Sequence, residues 1–387
     1  MNISKTVLTE VLVVGAGPAG LRVAINTARA GYETVVLEKD AVIGKPVQCA
    51  GLVSPRVVEL TRTNSIIGKP KKALINSPSG ESLEIEANSE KAVIIDRAKF
   101  DKEMASKAAK AGAHIRLKSA VKKTTYDGKR KVKYVEEGEK KTLKADVVIG
   151  ADGPASIVRR TAGLPSPEEV LPAVQAVVPS NDDTIKIHFG SETAPGFFLY
   201  ELPFSTGKLI GVATDDGDTY KHLIKFLKSR DLEDKVITFL SGTIPIGDIE
   251  NSVDDGLCLV GDSACQVKPL SGGGIFLGLK AADICSEVII DALEEGDLSE
   301  KRLKEYHDRW QRKIGKRISR GMKIRKVFKN LSDEDIDELI RILKKDKTKR
   351  VIEEKGDIDF HSALFKPLFK TAPELLKFIG PVIKSLF

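Results

Sequence analysis

The stretch Val11-Leu12-Val13-Val14-Gly15-Ala16-Gly17-Pro18-Ala19-Gly20 decides the fold. Residues 6–14 form an apolar run that suits a strand covered on both faces in a parallel sheet. Residues 18–31 carry helical periodicity and residues 33–38 return to strand, so the chain opens as a βαβ unit. Each glycine of G-x-G-x-x-G has a physical task at such a junction. Gly15 permits the tight turn, Gly17 lets backbone approach a pyrophosphate, and Gly20 lets helix pack closely on strand. The helix N-terminus then faces the phosphates. Glu38 ends the second strand 18 residues after Gly20, where a carboxylate can accept from a ribose hydroxyl. The pattern predicts a dinucleotide site at Gly15, Gly17, Ala19, Gly20, Glu38 and Lys39, and by itself it serves NAD or FAD.

Outward from that unit, residues 72–76 and 82–86 read as a hairpin across Asn76 to Gly80. A strand at 92–95 leads into a helix near 97–111. Strands follow near 114–122, 131–136 and 141–149, with a turn at Tyr126-Asp127-Gly128. Residues 170–250 are β-rich with one helix near 219–229, residues 256–261 return to apolar strand, and 274–294 form a long helix. The remainder is helical and basic. Such an order implies one domain assembled from discontinuous pieces, with a β-rich insertion.

The 387 residues allow two or three domains. A hydrophobic fraction of 41% and a charged fraction of 30% exclude collagenous, low-complexity and disordered chains. Four cysteines with no C-x-x-C pair exclude a disulfide scaffold and the usual structural zinc spacings, so no metal is expected. Reduced thiols, no signal-peptide pattern and no run of about 18 apolar residues predict a cytoplasmic chain that at most rests on a membrane surface. Residues 301–387 hold 24 Lys+Arg against 13 Asp+Glu, while the first 300 hold 38 against 42. This asymmetry suits either an anionic surface or a solvated helical face. With aromatic residues at 5% and no recognisable module, nucleic acid is not expected.

Later segments narrow the cofactor to FAD. Val147-Val148-Ile149-Gly150-Ala151-Asp152-Gly153, followed by Ser156 and Arg159, resembles the Asp-Gly fingerprint of the para-hydroxybenzoate-hydroxylase-like FAD flavoprotein superfamily. Gly256-Leu257-Cys258-Leu259-Val260-Gly261-Asp262-Ser263-Ala264 resembles its Gly-Asp fingerprint, and Pro269 with Gly272-Gly273-Gly274 continues that match. There the aspartate holds the ribityl chain, and the next helix N-terminus faces the isoalloxazine. Asp96-Arg97-x-x-Phe100-Asp101 resembles the superfamily's arginine-bearing helix start near FAD. The resemblance extends the cofactor residues to Ala50, Leu52, Arg97, Asp152, Asp262, Gly273, Gly274 and Ile275. Val121 is placed against the adenine by its strand position.

Gly44-Lys45-Pro46-Val47-Gln48-Cys49-Ala50-Gly51-Leu52-Val53-Ser54, together with these motifs, is similar to the archaeal geranylgeranyl reductase family over roughly residues 8–295. That resemblance implies an FAD-dependent reductase saturating prenyl-chain double bonds of archaeal membrane lipids. It implies a prenyl lipid substrate and an electron donor, whether NADPH, ferredoxin or another low-potential carrier. It places Cys49 beside the flavin on the substrate side, as cofactor contact and catalytic residue. Hydride addition to an isolated alkene needs an aligned proton, and a thiol is one source. The alternative for Cys49 is a small buried residue in a tight loop. The family's Tyr-x-Trp-x-Phe-Pro…Gly-x-Gly frame survives as Phe198-x-Tyr200-x-Leu202-Pro203 and Gly211-Val212-Ala213. These residues either line an apolar tunnel or form sheet core.

Two other functions share the fold. A monooxygenase hydroxylating an apolar substrate would consume oxygen. A non-catalytic prenyl-binding protein would not need Glu38, Arg97 and Asp262. A halogenase is excluded because its Trp-x-Trp-x-Ile-Pro pattern is impossible with Trp310 as the sole tryptophan.

Cys258 and Cys285 read as core and Cys265 as near the cofactor. His188 sits in an alternating strand, while His222, His307 and His361 read as polar helical surface. From Leu375, apolar residues at Leu376, Phe378, Ile379, Val382, Ile383, Leu386 and Phe387 form one helical face opposite Lys370, Lys377 and Lys384. That helix either lies in a membrane interface or docks on the body. The expected class is α/β. Residues 1–65, 90–165 and 251–295 form a Rossmann-like FAD-binding domain, and 66–89 with 166–250 a β-rich substrate domain. Residues 296–387 form a helical basic C-terminal region.

Overall fold

The computed structural model describes residues 7–379. An eight-stranded sheet carries the opening unit. Its main path runs Val253–Asp254, Leu257–Leu259, Glu139–Gly150, Val7–Val14, Thr34–Leu37, His114–Arg116. Val7–Val14 lies in parallel between Glu139–Gly150 and Thr34–Leu37. Val11, Leu12, Val13 and Val14 are all buried, which explains the unbroken apolar run. One layer over it is the helix Pro18–Arg29, packed on Arg97–Lys110 and Ile275–Glu295. Arg22 and Asn26 both reach Asp283, tying the first of these helices to the last.

The strand expected over 114–122 is two strands. Lys118 adopts φ 53°, and the chain turns there. His114–Arg116 stays parallel beside Thr34–Leu37, whereas Ser119–Tyr126 pairs antiparallel with Arg130–Glu136. The strand expected at 92–95 is Val93–Ile95, and it is joined into a three-stranded sheet by Leu52–Val53 and Ile66–Gly68, which were not foreseen because strands of two or three residues carry too few positions for a period.

The second large sheet has seven strands, in the order Thr238–Ile246, Glu169–Val178, Gly207–Ala213, Leu199–Phe204, Ile185–His188, Lys72–Asn76, Ser82–Glu86. The helix Thr219–Lys228 seals one face, where Leu223 and Leu227 pack on Ala176, Val178, Leu199, Ile210 and Val212. Phe197, Phe198, Ala213 and Ile244 join the main core on the other face. The sheet therefore presents one side to the nucleotide-binding layer.

The C-terminal helices clamp this junction. In Glu300–Trp310, Tyr306 Oη donates to Leu259 O (2.7 Å) and Trp310 Nε1 donates to Ser252 Oγ (3.0 Å). His307 is buried against Trp310 and Ser252, so the expected polar surface is corrected there. Its helix buries Leu303, Tyr306 and Trp310 as well, so this side of the helix faces inward. His361 is also enclosed: burial, followed by the nearby Lys268 charge, pushes its pKa down to about 4. Leu375 is buried with Ile342, Leu368 and Ala372, and Phe378 packs on that cluster. The start of the amphipathic tail thus docks on the body. Val382, Ile383, Lys384, Leu386 and Phe387 lie outside the described residues. No described helix is long and apolar enough to cross a membrane.

Candidate functional site

The first glycine loop is shaped by close backbone contacts. A Cβ on Gly15 (φ 102°) would stand 2.4 Å from Ala151 O, and one on Gly20 would stand 2.3 Å from Gly15 O. Gly17 faces open space instead, at the N-cap of the helix Pro18–Arg29 with no side chain capping it. The free N–H groups of that turn are therefore available to an anion. Glu38 closes the loop: Oε2 accepts from Ala16 N (2.7 Å) and Oε1 from Asp40 N (2.9 Å).

On the other side of that helix, Gly261 lies against Ala19, with a would-be Cβ 3.0 Å from Ala19 Cβ. Gln266 Oε1 accepts from Gly261 N (2.7 Å), and Gln266 Nε2 donates to Tyr306 Oη (2.9 Å), so the C-terminal helices brace this turn. Asp262 follows, half-exposed yet enclosed by protein, as in a cleft. Burial raises its pKa, and Arg97 pulls the other way. A Cβ on Gly274 would stand 2.8 Å from Asp262 Oδ1, so carboxylate and helix N-terminus share one wall.

Cys49 is linked to Asp262 through Arg97, whose charge reaches both. The Cys49 Sγ accepts from Gly51 N (3.4 Å), and the Arg97 charge is close enough to interact with it. Burial opposes the Arg97 charge, but Asp101 and Cys49 outweigh that cost, and Arg97 Nη2 to Asp101 Oδ2 is 2.9 Å. Burial, then Cys49, raises the Tyr200 pKa, so its hydroxyl stays protonated. Tyr200 lies flat over Gly211, where a Cβ would come within 2.3 Å of the phenol oxygen. An aromatic row leads away from it: Tyr200 to Phe198 (6.2 Å), Phe198 to Phe189 (6.2 Å), and Phe189 to Phe328 (5.2 Å).

Residues 8–188 match the FAD binding domain family model. The chain is 34% identical to digeranylgeranylglycerophospholipid reductase 2 of Methanothermobacter thermautotrophicus, covering 86% of this chain and 91% of that one. Its namesake in Methanopyrus kandleri is 32% identical, covering 97% and 99%. The chain belongs to the digeranylgeranylglycerophospholipid reductase family. A geranylgeranyl bacteriochlorophyll reductase-like protein from Thermoplasma acidophilum superposes with a TM-score of 0.87 at 25% identity, covering 99% of this chain and 100% of that one.

The cofactor of this reductase-family chain is FAD. Its residues fit that group: an open backbone approach at Gly17, a carboxylate at Glu38, and an enclosed but solvent-reached Asp262 beside a helix N-terminus. Other sequence-predicted residues are distributed around it. Ala50, Leu52 and Ile275 are half-buried along the cleft segments, Lys39 is exposed, and Val121 is buried in the main core. Asp152 spends both oxygens inside its own loop, accepting from Ser156 Oγ (2.5 Å), Ile157 N (2.7 Å) and Val158 N (3.1 Å). Gly273 lies under the stem of Lys268, whose Cε would be 2.6 Å from a Cβ there. Leu202 is buried and Pro203 half-buried farther along the Tyr200 strand. Cys258 and Cys285 are core, and burial pushes the Cys265 thiol up to about 12.

Lys268 and the segment Asp357–Phe360 were not picked out from the sequence. The segment is latched to the cleft by Arg56, which bonds Asp357 (2.7 Å) and Asp359 (3.2 Å). Phe360 lies under Arg317 (3.6 Å). No spacing rule links residue 359 to residue 268, so no signal was available.

Proposed function

We propose that this protein saturates the double bonds of geranylgeranyl chains in archaeal membrane lipid precursors. Residues 1–65, 90–165 and 251–295 would hold FAD, 66–89 with 166–250 would receive the lipid, and 296–387 would brace both. The carrying observation is Cys49, bonded by Gly51 N, within reach of the Arg97 charge and of Tyr200 at the head of the aromatic row. Reduced FAD, when bound, would supply the hydride. The second alkene carbon needs a proton, and the Cys49 thiol would donate it. Arg97 and the Gly51 N–H favour the sulfur once its proton has left. Tyr200, Phe198 and Phe189 supply an apolar wall that holds the chain and keeps water from the reacting carbons. Gly15, Gly17, Ala19, Gly20 and Glu38 hold the adenosine and pyrophosphate end, and Asp262, Gly273, Gly274 and Ile275 the flavin end.

The test is anaerobic. Dithionite-reduced protein mixed with a geranylgeranyl ether lipid should reoxidise its flavin and add about two mass units per double bond, one hydride plus one proton. Flavin that stays reduced until air enters, followed by a product heavier by oxygen, would make the protein a monooxygenase. Cys49→Ala should keep FAD and lose most turnover, and wild-type turnover would remove the thiol from the mechanism.

NADPH, ferredoxin or another low-potential carrier completes the cycle. Membrane contact is supported by the helix Lys316–Phe328, which contains no acidic residue. Arg312, Lys313, Lys316, Arg320 and Lys326 are exposed, and no described carboxylate pairs with them. Such a face suits an anionic lipid surface. Lys316→Glu with Arg320→Glu should abolish co-sedimentation with anionic vesicles while leaving the flavin spectrum intact. Unchanged co-sedimentation would refute this surface.

A further inference from the structure

Lys268 has two anchors. Its main chain closes the loop that begins the helix Ile275–Glu295: Lys268 N donates to Gly273 O (3.1 Å), and Gly272 N donates to Lys268 O (2.9 Å). Its ammonium donates to Ile358 O (2.7 Å) and Asp359 Oδ1 (3.3 Å) of the C-terminal segment. Between the anchors the stem crosses Gly273, and the Cys49 sulfur is near enough to interact with its charge. Burial lowers the Lys268 pKa, and Asp359 opposes that. Arg56 also binds Asp357 and Asp359.

A cofactor held with its ribose at Glu38 and its pyrophosphate at Gly17 would have its flavin half on the side of Ala19 where Gly261, Asp262 and Gly274 lie together. Lys268 then stands at the flavin end. A buried cation there acts through a low dielectric and is worth far more than one in water. We propose that Lys268, positioned by Asp359 and the Ile358 carbonyl, supplies the positive charge that stabilises reduced flavin in this protein. The proposal rests on FAD binding as described and not on the lipid assignment, so its test contains no lipid.

The probe is sulfite, which adds to oxidised flavin and leaves negative charge on the ring, so its Kd reports a cation nearby. Lys268→Gln keeps a donor to Ile358 O and removes the charge. It should weaken sulfite binding about tenfold, by Coulomb interaction across a partly buried distance. The same factor lowers the two-electron reduction potential by about 30 mV. Lys268→Arg should stay close to the parent on both. FAD lost by Lys268→Gln but kept by Lys268→Arg would also show the charge at the cofactor. Parental sulfite affinity and potential in Lys268→Gln would overturn the proposal. So would loss of FAD from both variants, since shape and not charge would then matter.

Discussion

The two ends of the cofactor cleft are built differently. The nucleotide end is made by one short stretch of backbone, Gly15 to Gly20, closed by Glu38. The end proposed for flavin and substrate gathers Cys49, Arg97, Tyr200, Lys268 and Asp359 from five distant segments. The first depends on the absence of side chains, and the second on their meeting. Damage to the first should therefore be all-or-none, while damage to the second should separate binding from turnover.

Gly20→Val gives the largest expected effect. A branched side chain placed 2.3 Å from Gly15 O forces helix off strand. Overpacking of this kind costs about 1–3 kcal/mol. Purified protein should lack flavin absorbance, and a yellow, fully loaded variant would break the contrast. Gly211→Ala should instead keep FAD, because only the Tyr200 ring must move. Turnover should fall by about 10–100-fold, as misplacement near reacting atoms does, with flavin content and kcat measured on one preparation.

The outer face of the same sheet sharpens the comparison. Glu201 accepts from His188 (2.9 Å) and Lys208 (3.0 Å), away from the cleft. Burial would raise its pKa, but these bonds hold it at about 2. Its folded pKa lies below the unfolded one, so the stabilisation is present at neutral pH and is lost as pH falls from about 5 to about 2. After screening this is about 2 kcal/mol. Glu201→Gln should flatten that acid limb in urea titrations and leave turnover unchanged. The smallest effect belongs to Arg56→Ala, where one half-exposed guanidinium is lost from Asp357 and Asp359. It should cost about 1 kcal/mol and speed proteolytic cleavage between 356 and 361, with FAD retained.

This contrast also decides what the sequence disclosed. The βαβ opening, the hairpin 72–76/82–86 and the long helix near 275 are legible because period and glycine spacing are local properties. Glu38 is legible because it follows a strand at the expected distance from Gly20, and Asp262 because its segment resembles the Gly-Asp fingerprint. The break at Lys118 is not, since it comes from one strand serving two neighbours. Lys268 is invisible because its partner is 91 residues away. Tyr200 and Gly211 fall between the two. Their frame was readable, and the reason for the glycine, room for the phenol ring, appears only when the strands pair.

The sheet order has a consequence for synthesis. Val7–Val14 leaves the ribosome first yet sits between Thr34–Leu37 and Glu139–Gly150. One edge of an apolar strand thus stays open until about 130 more residues are made, roughly ten to twenty seconds at ordinary elongation rates. Unpaired edges of this kind template aggregation, so the nascent chain is vulnerable in that interval. Closure of the cleft comes later still. Asp359 is made 91 residues after Lys268, so a ribosome stalled between them holds a chain that has Gly15, Gly17 and Gly20 but no latch over Lys268.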